Sequence, residues 1–232
     1  MLSKFLRQII HKNKSMLYSN REQAANILAE RLLNIPEIAR AEKDKLIILG
    51  IPRGGVILAD IVARKLSTDC DIVVGRKLGA PENKELGIGA VMEDGTMYLN
   101  RDLVTTLRVS SEYLEREKIK EMNEIKRRLE TYRKTVPYNI RDKIAVIVDD
   151  GIATGATIIA ACRWLRKQGV KYLIIAVPVC PPDTADILKN EADIILVLAT
   201  PAYFNSVGQF YQNFDPVSDE QVIQIMHYWK RL

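Results

Sequence analysis

Residues 143–157 read KIAVIVDDGIATGAT, and the order of chemistries in that stretch decides the fold. Ile144 to Val148 is an unbroken apolar run rich in β-branched side chains. Such a run suits a strand buried on both faces of a parallel sheet. Two carboxylates, Asp149 and Asp150, follow at the strand's carboxyl end. Gly151-Ile152-Ala153-Thr154-Gly155-Ala156-Thr157, small and hydroxylated, then leads into a helical pattern from Ile158 to Lys167. A strand, a tight turn and a helix N-terminus make an anion site, because unpaired N–H groups and the positive end of the helix dipole point outward there. Thr154 and Thr157 add hydroxyl donors, and Gly151 and Gly155 let the backbone close around a ligand.

The two carboxylates need a separate explanation, since negative charge at the lip of a pure phosphate cradle repels its ligand. They fit a ligand that also carries a sugar, because carboxylates accept hydrogen bonds from both hydroxyls of a cis-diol. The ligand implied by the residues is a ribose 5-phosphate, with the diol on Asp149 and Asp150 and the phosphate on Gly151 to Thr157. The stretch lacks the Gly-Lys-Ser/Thr ending of a Walker A loop and is not a GxGxxG turn. The plainer alternative is a strand-turn-helix whose aspartates only cap the helix.

VIVDDGIATGAT resembles the signature of the type I phosphoribosyltransferases: a hydrophobic strand, two acidic residues and a Thr-Gly turn. The chain looks closest to a broad group of these proteins known mainly by their motif. The resemblance implies an α/β fold, a three-layer doubly wound parallel β-sheet with a flexible loop and hairpin lid, a long helix and a hood-like C-terminal tail. It also implies the substrate 5-phosphoribosyl diphosphate (PRPP) and a small-molecule acceptor.

A second strand, Leu46 to Gly50, feeds Ile51-Pro52-Arg53-Gly54-Gly55 and then a helical pattern from Val56 to Lys65. An oligophosphate crossing that turn would meet backbone N–H groups and one permanent guanidinium, Arg53. In the resembling family this is the pyrophosphate loop, often with a strained peptide bond, so Arg53, Gly54 and Gly55 inherit that role. A third strand is expected at Asp71 to Gly75, with Arg76 and Lys77 at its end; similar enzymes place a basic residue there, which gives Lys77 to the pyrophosphate. Two solvated charges are the alternative. Gly79 to Gly89 has turn-formers and no apolar period, so it reads as a mobile loop, followed by a hairpin at Ala90 to Asn100 around Asp94-Gly95. In the family such a lid covers the bound substrate.

Asp102 to Lys134 reads as mostly one long helix, with Met122, Ile125, Leu129 and Tyr132 as its apolar stripe. Glu112–Arg116, Glu124–Arg128 and Glu130–Lys134 have the spacing of ion pairs. Strands Tyr172 to Val179 and Asp193 to Leu198 alternate with helices, which argues for right-handed crossovers and ligand binding at the strands' carboxyl ends. The tail, Thr200 to Asp215, holds Tyr203, Phe204 and Phe210, whose rings could stack on a base or form a satellite core. A last helix is expected at Ser218 to Trp229, capped by Ser218. At the other end, Asn20 to Leu33 has helical spacing closed by Pro36. Residues 1–17 are basic and apolar, interrupted by charge and unlike a secretory signal; a helix folding onto the domain is expected, an organelle presequence being the alternative. The organisation expected is an N-terminal helical segment (1–40), a core (41–200) with the lid and long helix inserted at 78–136, and an aromatic tail (201–232).

At 232 residues and 47% apolar, the chain can fill one large α/β core. No run reaches membrane-spanning length. The net charge of +5 suits a polyanionic small substrate, and no nucleic-acid-binding signature accompanies it. Cys70, Cys162 and Cys180 have no CxxC spacing, so reduced thiols in a cytoplasmic protein are expected.

By resemblance, the reaction is transfer of 5-phosphoribosyl to a nitrogenous base with release of pyrophosphate, in a homodimer. Asp149, Asp150 and Arg53 are the catalytic candidates, with Mg²⁺ held mainly by PRPP and within reach of Asp149 and Asp150. Hypoxanthine-guanine enzymes of the family carry an aspartate base where this chain has Ala153, which disfavours a 6-oxopurine acceptor. A PRPP- or nucleotide-sensing regulator of the same fold is the alternative.

Overall fold

The computed structural model describes residues 8–10, 18–134 and 137–230. In chain order, strand β1 (Gln8–Ile10) precedes helix α1 (Arg21–Leu32), the single turn α2 (Pro36–Ala39) and β2 (Leu46–Gly50). Helix α3 (Gly54–Leu66) leads to β3 (Asp69–Ile72), then to an antiparallel meander of β4 (Gly75–Gly79), β5 (Gly87–Met92) and β6 (Met97–Leu99). Helices α4 (Arg101–Thr106) and α5 (Ser111–Tyr132) come next. The chain then runs through β7 (Ile144–Val148), α6 (Ala156–Lys167), β8 (Tyr172–Val179), α7 (Pro182–Leu188), β9 (Ile194–Ala199) and α8 (Asp219–Trp229).

Strands β9, β8, β7, β2 and β3 lie side by side in that order, all parallel, and β1 adds a sixth at the β9 edge. The apolar run of β7 explains itself in this setting. Ala145 and Ile147 pack into one core with Trp164 and Leu165 of α6, while Val146 and Val148 pack into the other with Leu28 of α1 and Leu58 of α3. A strand covered on both faces has no use for alternation. The three-layer, doubly wound α/β architecture expected from the sequence is the one observed.

Several local expectations change. Pro36 does not close a helix; it opens α2 at the N1 position, where a missing N–H costs nothing. Residues 8–10 form an edge strand where a helix was expected; the rest of 1–17 lies outside the described residues. The run from Asp71 to Gly75 is not one strand: β3 ends at Ile72, and Gly75 begins β4 in the smaller sheet, so Arg76 and Lys77 sit within a strand. The expected loop from Gly79 to Gly89 is framed by sheet: its ends lie in β4 and β5, and 80–86 form the turn between them. The meander is covered on both sides, with Ala90 and Met92 in the α6 core and Leu78, Ile88 and Val91 packed with Ile125 of α5. Its remaining tip is tied to α5, because Lys84 Nζ donates to Glu117 Oε2 at 2.9 Å and the Tyr113 hydroxyl to the Gly79 carbonyl at 2.7 Å.

The long helix is two. The first ends at Thr106, and Ser110 opens the second as its N-cap, its hydroxyl accepting from Tyr113 N; Asn100 caps α4 in the same way. Of the three expected ion pairs, Glu124–Arg128 closes, at 2.8 Å. Ile125 and Tyr132 of the apolar stripe are buried. Ser218 caps α8 through a reciprocal box with Gln221. All three cysteines are buried and free. Among the described residues no helix is long and apolar enough to cross a membrane.

Candidate active site

The carboxyl ends of β2 and β7 are neighbours, since Gly50 pairs with Val148, and the two loops that leave them meet. The peptide between Pro52 and Arg53 is cis. Gly54 and Gly55 then pass so close to the carboxylate pair that no side chain fits. A Cβ on Gly54 would lie 1.9 Å from Asp150 Oδ2, and one on Gly55 would lie 2.6 Å from the Val148 carbonyl and 2.9 Å from Asp149 Cα. The first glycines of α3 therefore serve the approach of one loop to the other.

Beyond the carboxylates the chain is anchored to its neighbours rather than to itself. Ile152 N donates to the Val179 carbonyl at 2.9 Å, and the Thr184 hydroxyl donates to the Ala153 carbonyl at 2.8 Å. Gly155, at φ 75°, is the N-cap of α6, and no side chain caps the helix. The N–H groups of its first turn are thus left for a ligand. They open on a cavity of about 110 Å³ lined by Gly151 to Ile158 together with Lys77, Asp149 and Val207. The cavity brings Asp149, Thr154, Thr157 and Lys77 together, so Lys77 lies beside the threonines expected to hold the 5-phosphate.

Electrostatics mark the same spot. Burial, with Asp150 adding repulsion, pushes the Asp149 carboxyl well above the usual carboxylate range, and Lys77 and Arg21 pull the other way. Burial also raises Asp150, opposed by its hydrogen bond from Arg21. Asp149 Oδ1 accepts from Asp150 N at 2.9 Å, which fixes the first carboxylate relative to the second.

Other expected site residues lie elsewhere. Arg53 turns to α8, where its Nη1 meets Asp219 Oδ1 at 3.1 Å, and the same oxygen accepts from the Tyr132 hydroxyl at 2.6 Å. Phe210 is buried, with its ring 5.0 Å from Phe204, so it belongs to the core that covers Val146 and Val148 and offers no face for a base. Phe204 packs partly against the same core, whereas Tyr203 is 90% exposed.

Three contributors carry no signal in the local sequence. Arg21, the first residue of α1, places Nε 2.8 Å from Asp150 Oδ2. Tyr211 donates its hydroxyl to the Asp150 carbonyl at 2.5 Å. Val207 closes the cavity from the tail. Each acts across a long separation that periodicity and motif spacing do not encode.

A family model described as a phosphoribosyl transferase domain matches residues 9–198. A Mycobacterium tuberculosis protein named "Putative phosphoribosyl transferase" is 40% identical over 213 residues, which is 90% of this chain and 46% of that protein. The chain thus spans about half the length of the curated relatives it matches. Among solved structures, TT1426 from Thermus thermophilus is 38% identical with a TM-score of 0.75, the match covering 92% of this chain and 99% of that one.

Proposed function

The chain belongs to the phosphoribosyl transferase family, and from that premise we propose that it moves the 5-phosphoribosyl group of PRPP to a nitrogen of a base, with release of pyrophosphate. The observation that carries this reading is the contact of two loops of opposite character. An acidic pair leading into an uncapped helix N-terminus lies directly against a glycine turn that follows Arg53.

Each part then has work suited to it. The amides at the start of α6 and the hydroxyls of Thr154 and Thr157 hold the 5-phosphate. The carboxylate pair accepts from the ribose hydroxyls and faces the positive charge that develops on the ring as its bond to pyrophosphate breaks. The Gly54 and Gly55 amides, Lys77 and Arg53, once it leaves Asp219, meet the departing pyrophosphate. No covalent nucleophile is needed; the protein orients the sugar and the acceptor nitrogen and keeps water from the ring's oxocarbenium-like carbon.

The donor set fits Mg²⁺. Asp149 and Asp150 are hard oxygen donors, Asp149 buried beside a second carboxylate and Asp150 bonded to Arg21. No group of three or more His, Cys, Asp and Glu able to hold a metal exists among the described residues, so substrate phosphates would complete the shell. Asp149 and Asp150 would hold the ion, which neutralises part of the pyrophosphate charge when bound.

With Ala153 in place of an aspartate base, the acceptor we propose is a base other than a 6-oxopurine, and the exposed ring of Tyr203 is the tail's free stacking face. The test is pyrophosphate release from PRPP and Mg²⁺ with a panel of purine and pyrimidine bases. Base-dependent release is expected. Tight PRPP binding without release from any base would replace the transferase with a sensor, and absence of PRPP binding would end the reading.

A further inference from the structure

Resting on the phosphoribosyl-transfer reading, we propose that Thr184, on α7, is a positioning residue that aims the backbone of the 151–157 loop at the 5-phosphate. The loop takes its shape from the segment that ends β8 and opens α7. Ile152 N donates to the Val179 carbonyl at 2.9 Å, and the Thr184 hydroxyl donates to the Ala153 carbonyl at 2.8 Å. Thr184 is buried, and its methyl group backs the next stretch of the loop: a Cβ on Gly155 would lie 3.0 Å from Thr184 Cγ2. One side chain therefore grips the loop on both sides of Thr154.

The grip matters for what it does to one peptide unit. The Ala153–Thr154 peptide is trans, and in a planar trans peptide the carbonyl and the following N–H point in opposite directions. Drawing the Ala153 oxygen to Thr184 thus turns the Thr154 N–H away from α7. That N–H donates to no group among the described residues. It joins the unpaired first-turn amides of α6 as a donor for an anion. Ala153 and Thr154 are both exposed, so side-chain packing does little to hold the unit in place. Without the hydroxyl the peptide is free to rotate, and the rotated form shows the phosphate a carbonyl oxygen in place of a donor.

The experiment compares Thr184→Val, which keeps the shape and loses the hydroxyl, with Thr184→Ser, which keeps the hydroxyl. Calorimetry with Mg²⁺ measures ribose 5-phosphate and pyrophosphate separately, and thermal melts record folding. Thr184→Val should weaken ribose 5-phosphate by roughly five- to tenfold, the scale of one hydrogen bond, and leave pyrophosphate within about twofold of wild type. Thr184→Ser should bind both ligands as wild type does. Thr184→Ala removes the hydroxyl without setting a methyl against the Ala153 oxygen, and it repeats the test if Thr184→Val does not fold. Unchanged ribose 5-phosphate affinity without the hydroxyl, equal losses for the two ligands, or a Thr184→Ser protein as weak as Thr184→Val would each overturn the proposal. A wild-type protein that binds neither ribose 5-phosphate nor PRPP would end the functional reading and leave Thr184 to be judged with inorganic phosphate. The NMR shift of the Thr154 amide should then respond to phosphate in wild type and not in Thr184→Val; no response in wild type, or the same response in both, would overturn the role of Thr184 itself.

Discussion

Burial and the neighbouring Asp150 carboxylate raise the proton affinity of Asp149, against the pull of Lys77 and Arg21. A carboxyl whose folded pKa lies above its unfolded value, near 3.9, binds its proton more tightly in the folded state. Its contribution to stability is therefore fully present below the unfolded pKa and is lost as pH rises through the folded one. Asp149→Asn removes the charge while keeping an oxygen to accept from Asp150 N, so the ligand-free variant should be more stable than wild type at pH 8, by about 1 kcal/mol. The advantage should shrink toward pH 5. Thermal melts across that range check it, and a variant that melts lower than wild type at pH 8 contradicts it. A carboxylate kept at such a site despite its cost to the fold points to a ligand or cation that supplies the missing charge. That much was legible in the sequence, because adjacent aspartates at the end of a buried strand are visible in order. Arg21 was not, since its partner lies 129 residues away and nothing around Asn20-Arg21 differs from any capped helix start.

At the scale of elements, the strands and their loops were readable and the change of sheet was not. Ile72, Val73 and Val74 continue one apolar run, yet β3 ends within it and the chain crosses to the smaller sheet at Gly75. Hydrophobic pattern reports burial, and both positions are buried, so the pattern has no mark for the crossing. The crossing decides what the next two residues do. Alternation along β4 sends Lys77 to the cavity and Arg76 to α5, where it pairs with Glu121 at 2.7 Å. Helix α8 shows the same kind of long-range assignment, since its first residue, Asp219, holds Arg53. This pair is partly exposed, with side chains 45% and 33% accessible, so it contributes little to stability. Under the proposed function its consequence is competition, because a pyrophosphate would have to draw Arg53 from Asp219 before the guanidinium could serve it. Asp219→Asn should leave the melting temperature nearly unchanged and tighten pyrophosphate binding by roughly two- to fivefold, the scale of an exposed ion pair. Calorimetry with pyrophosphate measures this, and weaker binding would show that Asp219 orients Arg53 for the ligand.

At the scale of the whole molecule, the candidate site is the place where distant parts of the chain converge. Helix α1 reaches it through Arg21, the parallel sheet through the ends of β2 and β7, the meander through Lys77, and the tail through Val207 and Tyr211. In the ligand-free protein this junction concentrates buried carboxylate charge and unpaired amides, so it is where the fold gains most from an occupant. A ligand that binds only the folded chain stabilises it by an amount set by its concentration relative to Kd, about 2.7 kcal/mol at one hundred times Kd. For a chain of this size each kcal/mol raises the midpoint by roughly 2–4 °C, so saturating PRPP with Mg²⁺ should raise it by roughly 5–10 °C. Chelating the metal should remove most of that gain, because the carboxylates would then face the substrate's phosphates without a cation between them. Ribose 5-phosphate, which keeps the diol and the 5-phosphate but lacks the pyrophosphate, should give a smaller shift that chelation hardly changes. Equal shifts from the two sugars, both indifferent to chelation, would mean that the Arg53–Gly55 loop adds nothing to binding. The junction would then be a sugar-phosphate site alone, with no place for a leaving pyrophosphate.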